Sequence, residues 1–220
     1  MIIENIFPSL LTTIKVDPTE YDKVGIVDRI IENYHRQPHR QNWGHSANLH
    51  HYYKDWDNPQ LPKPDLSSLI KIYAVIFENF INQLDIDLNF EWYFSIENIS
   101  VHKEPYHFMT GHDHFEHGSY YTAVHYLQTD INASAIELEN PLACMLYLSE
   151  QYKNTNKKIF NDNKIAFSTY YKHWSIKPEE DSMIIFPSYI KHKVDPPGTT
   201  LSKYRICVAI NLYFKTNDID

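Results

Sequence analysis

The hydrophobic period of this chain changes once, near residue 88, and that change restricts the fold more than any other feature. Ahead of it, Leu66, Leu69, Ile70, Tyr73, Ile76, Phe77, Phe80, Ile81 and Leu84 recur at i, i+3, i+4 and i+7, the stripe of a helix that buries one face. Asp65, Ser67 and Ser68 supply its start. An opening strand over 6–16 and a first helix from Asp17-Pro18-Thr19-Glu20 to about Arg36 are predicted before it. Beyond residue 88 the period falls to two and β-branched and aromatic residues take over, which predicts strands over 90–96, 119–127, 135–138, 165–171, 183–186 and 204–214. Two helices followed by a run of strands imply a mainly β chain, a sandwich or barrel with flanking helices. One domain is expected, with 1–87 packing on the sheet and 88–220 forming the β core. Residues 37–64 lack periodicity and end in Asn58-Pro59-Gln60-Leu61-Pro62-Lys63-Pro64, so they read as loop; 154–164 reads as a polar insertion.

Composition narrows the class. A net charge of −8 over 220 residues argues against a surface that tracks phosphates, so nucleic acid is not an expected partner. The two cysteines, Cys144 and Cys207, are far apart in sequence and lack metal-type spacing, which suits reduced, buried thiols. The start, Met1-Ile2-Ile3-Glu4-Asn5, has an acid where a signal peptide needs cations, and no apolar run approaches the ~20 residues of a membrane span. A cytoplasmic protein is expected. With five glycines in all, turns must lean on Asn, Asp and Pro, as in Asp195-Pro196-Pro197-Gly198.

The chain is rich in histidine, 13 in all, and one group stands out. His114-Phe115-Glu116 places two ligand types at i and i+2. On a strand these project from one face while Phe115 turns into the core. His192, 78 residues after His114, follows the apolar run ending Phe186-Pro187-Ser188. Two histidines and one carboxylate with open positions opposite suit non-haem Fe(II) oxygen chemistry. His112 is the rival, because His112-x-His114 also sets two ligands on one strand face. His102, His107, His117 and His125 read as solvated or hydrogen-bonded bystanders, with His125 out of phase with Tyr126 and facing away from the pocket. His45, His50 and His51, with Trp43 and Trp56, read as loop residues.

Four ordered segments resemble the 2-oxoglutarate/Fe(II)-dependent dioxygenases of the prolyl-4-hydroxylase-like superfamily, in particular a branch common in bacteriophages and bacteria. They are His114 to Leu127, containing Gly118-Ser119-Tyr120-Tyr121-Thr122-Ala123-Val124-His125-Tyr126-Leu127; Ile136-Glu137-Leu138-Glu139-Asn140-Pro141; Ile176 to Val194, close to "P-x-x-G-x-L-I-x-F-P-S-x-x-x-H-x-V"; and Arg205-Ile206-x-Val208-Ala209-Ile210-Asn211. The resemblance implies a double-stranded β-helix (jelly-roll) core, with His114, Glu116 and His192 as iron ligands. It implies that Arg205 grips the distal carboxylate of 2-oxoglutarate, that the Tyr126 hydroxyl reaches the same carboxylate, and that Asn211 lines the pocket. Arginine is apt there because its planar fork pairs with a carboxylate bidentately.

Three departures from the family pattern stand out. Glu116 occupies a position that is Asp in most relatives and often His in the phage branch; Asp181 replaces the glycine that usually begins the distal strand; and His192 to Arg205 spans 13 residues, longer than usual.

The resemblance further implies a hydroxylase that consumes Fe(II), 2-oxoglutarate and O2, acting on a protein, peptide or small-molecule C–H bond. A non-catalytic β-sandwich binding module on the same scaffold is the alternative.

Overall fold

Met183-Ile184-Ile185-Phe186 is an unbroken apolar run, where a half-buried strand would alternate. The computed structural model, which describes residues 10–36, 47–52, 61–84, 90–115, 118–141 and 173–216, gives the reason: the sheet holding this run is covered on both faces. In chain order the elements are β1 (Thr12–Lys15), α1 (Lys23–Arg36), β2 (Ala47–Asn48), β3 (His50–Tyr52), α2 (Ser67–Gln83), β4 (Phe90–His102), β5 (Phe108–His112), β6 (Tyr121–Gln128), β7 (Ile136–Glu139), β8 (His173–Ile176), β9 (Ser182–Pro187), β10 (His192–Val194) and β11 (Arg205–Thr216). Among the described residues they form a six-stranded sheet, β1-β9-β6-β11-β4-β3, and a five-stranded sheet, β2-β5-β10-β7-β8. All pairings are antiparallel. Two such sheets with helices outside one of them make the jelly roll that the sequence predicts.

Side chains of the larger sheet alternate between two cores. Ala123, Leu127, Met183, Ile185, Ile206, Val208, Ile210 and Leu212 turn outward onto α1 and α2, where Leu69, Tyr73 and Phe77 are completely buried. Val124, Tyr126, Ile184, Phe186 and Cys207 turn inward against Ile136, Leu138, Ile190 and Val194. The α2 stripe packs as its period predicts, except that Ile70 is 37% exposed. Deleting a ring such as Phe77 removes roughly 3–5 kcal/mol.

The helix starts differ from the sequence reading. Asp17 is spent on a local turn, accepting from Thr19 N and Oγ1, and α1 begins at Lys23 because Asp22 provides the cap, its Oδ1 accepting from Gly25 N at 3.0 Å. At α2, Asp65 Oδ1 accepts from Ser67 N at 2.9 Å, while the capping position itself is Leu66. Strands β2 and β3 lie in the 37–64 stretch read as loop, and β5, β8 and β10 are also additional. At two to five residues each, they are too short to show a period. The predicted strand over 165–171, the insertion over 154–164 and Cys144 lie outside the described residues. No described helix is long and apolar enough to cross a membrane.

Candidate metal centre and cosubstrate pocket

β10 lies between β5 and β7 and pairs His192 with His112 on one side and with Leu138 on the other. Directly opposed residues of an antiparallel pair share a face, and the two imidazole centroids are 4.2 Å apart. The chain then leaves β5 at His112. Asp113 Oδ1 accepts from Phe115 N at 3.3 Å, a turn that swings the backbone out of the sheet. His114 thereby arrives over the same point, its ring 5.3 Å from His112 and 5.2 Å from His192. One nitrogen from each of the three lies within 4.8 Å of the others.

The turn corrects one expectation. His114 is past the end of the strand, and Phe115, predicted to enter the core, is 67% exposed. Glu116 and His117 lie outside the described residues. Among the described residues, the rival histidine, His112, is brought together with His114 and His192.

Each of the three imidazoles points Nδ1 at an oxygen: His112 at Thr110 O (2.9 Å), His114 at Asn211 Oδ1 (2.7 Å) and His192 at Ile190 O (3.1 Å). A carbonyl oxygen can only accept, so Nδ1 carries the hydrogen and the lone pair belongs to Nε2 in His112 and His192, and in His114 as long as Asn211 turns its amide oxygen to the ring. Burial holds His192 far below the usual imidazole range, with His112 and His114 adding to the effect. Burial also lowers His112, against the opposing pull of the Thr110 carbonyl and Asp113. Neutral imidazole is the form that binds a metal without first losing a proton.

The loop carrying His114 is fastened across the sheets. His114 N donates to Ser188 O at 3.0 Å, Ser119 Oγ donates to His114 O at 3.1 Å and to Ser188 Oγ at 2.7 Å, and Thr122 Oγ1 lies 3.0 Å from Ser188 Oγ. Sequence reasoning singled out none of Ser119, Thr122 and Ser188 for this task. The only signal was a small hydroxyl residue directly after the Phe186-Pro187 strand end. Phe186 stands edge-on to His192 at 5.1 Å and closes the apolar side.

The other predicted residues sit further along the inner face of the larger sheet. Arg205 begins β11 opposite His102 at the end of β4. Arg205 is 2% exposed, and its guanidinium lies 5.4 Å from the centre of the completely buried Tyr126 ring. Among the described residues, neither Arg205 Nε nor the Tyr126 hydroxyl has a hydrogen-bond partner, and no carboxylate pairs with Arg205. Burial pushes the Tyr126 phenol well above its usual range, so it stays an O–H donor, Arg205 opposing the shift. A buried cation beside an unused donor is costly unless an anion joins them. A carboxylate has the charge and the acceptor oxygens that both groups lack.

His102, read as a bystander, is 2% exposed beside this cation, and burial followed by Arg205 and His107 depresses its pKa, so it is neutral. His107 is a hydrogen-bonded structural residue, its Nδ1 accepting from Lys103 N at 2.9 Å. His125 faces the helices, 2.8 Å from the Tyr73 hydroxyl. Asn211 lies six residues beyond Arg205, at the His114 end of the face.

The donor sets fit the two groups that the sequence resemblance implies: three imidazoles with one nitrogen each within 4.8 Å of the others for a divalent metal, and a buried arginine beside a buried phenol for a carboxylate. Comparison with known proteins agrees. The family described as "Putative 2OG-Fe(II) oxygenase" matches residues 100–211, just over half of the chain. Among solved structures, a prolyl hydroxylase from Trichoplax adhaerens, in complex with a peptide fragment of the hypoxia inducible factor oxygen degradation domain, superposes with a TM-score of 0.54 at 12% identity, covering 92% of this chain and 83% of its own. A Pseudomonas putida prolyl-4-hydroxylase gives 0.51 at 9% identity, with 92% and 91% covered. The non-heme alpha ketoglutarate dependent carbocyclase SnoK from nogalamycin biosynthesis gives 0.53 at 12%, with 92% and 78% covered. No curated protein matches the chain in sequence. The motif order, the jelly roll and the family match over 100–211 together place this chain in the 2OG-Fe(II) oxygenase family, whose members use Fe(II), 2-oxoglutarate and O2.

Proposed function

We propose that the protein hydroxylates an unactivated C–H bond, with His112, His114 and His192 holding Fe(II) and with Arg205 and Tyr126 holding the distal carboxylate of 2-oxoglutarate. The observation that carries this reading is the convergence of three imidazoles within 4.8 Å, each with Nδ1 directed at an oxygen. In the overall reaction 2-oxoglutarate, O2 and R–H give succinate, CO2 and R–OH, and the bound metal with its keto acid supplies the oxidising chemistry.

The chain supplies position and environment. Two ligands come from neighbouring strands, and the third from a loop tied to the opposite sheet, so the set is rigid before a metal arrives. Arg205 and Tyr126 fix one end of the cosubstrate by charge and hydrogen bonding in a region from which water is excluded. Phe186 and Ile190 keep the His192 side dry.

A protein, peptide or small-molecule substrate fits this reading. The fold neighbours favour a peptidyl residue, since one of them is a prolyl hydroxylase with a peptide bound. The exposed aromatic rim near His114, with Phe115 at 67% and Tyr93 at 53%, offers contact area for either class.

The test is aerobic incubation with Fe(II) and 2-oxoglutarate, scored by succinate formed. Wild type forms succinate, and His112→Ala, His114→Ala and His192→Ala each abolish it. Wild-type turnover in all three variants contradicts the assignment. Absence of both metal binding and succinate in the wild type favours the binding-module alternative.

A further inference from the structure

We infer that Asn211 is a positioning residue for the metal centre, acting through His114, and that Tyr213 anchors it from the rim. The inference rests on the assignment of His114 as a ligand, and it moves Asn211 from the cosubstrate wall to the metal's support.

Asn211 is completely buried. Its Oδ1 takes the His114 Nδ1 hydrogen at 2.7 Å and a second hydrogen bond from Thr122 Oγ1 at 3.3 Å, while Nδ2 donates to the Tyr213 hydroxyl at 3.4 Å. The Tyr213 hydroxyl in turn donates to Glu97 Oε1 at 3.3 Å. These bonds fix the amide's orientation. Tyr213 gives its single hydroxyl hydrogen to Glu97, so toward Asn211 it accepts from Nδ2, and this turns Oδ1 to His114 and Thr122.

His114 needs this support more than the other two ligands. His112 and His192 are held by carbonyls two residues away in their own strands, Thr110 and Ile190. His114 stands in a turn beyond the strand end, and the acceptor for its Nδ1 comes from β11, 97 residues away in sequence. That acceptor orients the ring and places its hydrogen on Nδ1. Outside, Tyr213 stacks on Tyr93 with centroids 4.8 Å apart and planes 8° apart. The chain Glu97, Tyr213, Asn211, His114 therefore links the exposed rim to a ligand.

The test measures anaerobic Fe(II) affinity, and 2-oxoglutarate affinity at saturating Fe(II), in wild type, Asn211→Leu, Asn211→Asp and Tyr213→Phe. Loss of a partner that orients a ligating histidine lowers metal affinity by roughly 10–100-fold. Asn211→Leu is expected to show that loss with 2-oxoglutarate affinity unchanged. Asn211→Asp, which keeps the acceptor, restores most of it. Tyr213→Phe lies at the rim, leaves the buried amide in place, and is expected to weaken metal binding a few-fold even if the Asn211 variants fail to fold. Wild-type metal affinity in Asn211→Leu and Tyr213→Phe, or a loss confined to 2-oxoglutarate affinity, overturns the inference. If wild type itself binds no Fe(II), the ligand assignment fails instead.

Discussion

Arg205 lies over the ring of Tyr126 at 5.4 Å, both buried, and among the described residues the guanidinium Nε and the phenol oxygen each lack a hydrogen-bond partner. Arg205→Met removes the charge and keeps much of the volume. Charge-assisted hydrogen bonds of this kind contribute about 1.5–3 kcal/mol, so 2-oxoglutarate should bind roughly 10–100-fold more weakly. The unliganded variant should be at least as stable as wild type, because an unpaired buried cation has been replaced by an apolar chain. Calorimetric titration and thermal melts with and without 2-oxoglutarate check both halves. A melt stabilised equally by 2-oxoglutarate in the variant contradicts the placement.

His112 and Glu116 compete for the same role. On the proposed set of three imidazoles, His112→Ala is expected to abolish Fe(II)-dependent succinate formation and Glu116→Ala to retain most of it. The reverse pattern returns Glu116 to the ligand set.

Asp181 adopts φ 60, a left-handed conformation, where relatives usually have glycine. Lys23 Nζ, 2.6 Å from Asp181 Oδ1 and 3.0 Å from Glu180 Oε1, compensates. The backbone is held as well, by Asp181 N donating to Tyr126 O and Val16 N donating to Asp181 O. Asp181→Ala keeps the strain and loses the ion pair, and is expected to cost about 1–2 kcal/mol. Asp181→Gly relieves the strain and should stay within about 0.5 kcal/mol of wild type. Chemical denaturation of the two variants measures the difference.

His125 is completely buried between Tyr73 and Tyr21, and burial, then Lys23, lowers its pKa from 6.5 to about 3. Between those values the unfolded chain binds a proton that the folded chain does not. Stability therefore falls as pH drops below about 6.5, and the contribution is complete above it. For one such group the fall is about 1–2 kcal/mol between pH 6.5 and pH 5. Comparing denaturation in wild type and His125→Phe isolates it, and the variant should show a correspondingly shallower slope.

The helices and long strands were legible because their periods run over many residues. The α2 stripe and the β9 run each predicted their burial. The short strands were not, since two or three residues such as His192–Val194 show no period and exist through their partners. Arg205 and Tyr126 were readable from family-like spacing and meet in the structure. His112 was not ranked first, because residues 112, 114 and 116 all share one parity, and only the turn at Asp113 decides which of them meet. Asn211 shows a similar limit: an inward-facing strand position fixes the side of the sheet, while its distance along the strand, about 20 Å from Arg205 at roughly 3.3 Å per residue, brings in His114, a neighbour that the spacing does not name.

In the proposed function, His112, His114 and His192 hold Fe(II) and Arg205 holds 2-oxoglutarate. Anaerobic titration of Fe(II) and 2-oxoglutarate into the protein, followed by absorbance, tests it most directly. Wild type is expected to show a weak metal-to-ligand charge-transfer band that needs both additions, is absent in His192→Ala, requires far more 2-oxoglutarate in Arg205→Met, and bleaches when O2 is admitted. A wild-type protein that shows no band, or a band that survives in His192→Ala, contradicts it.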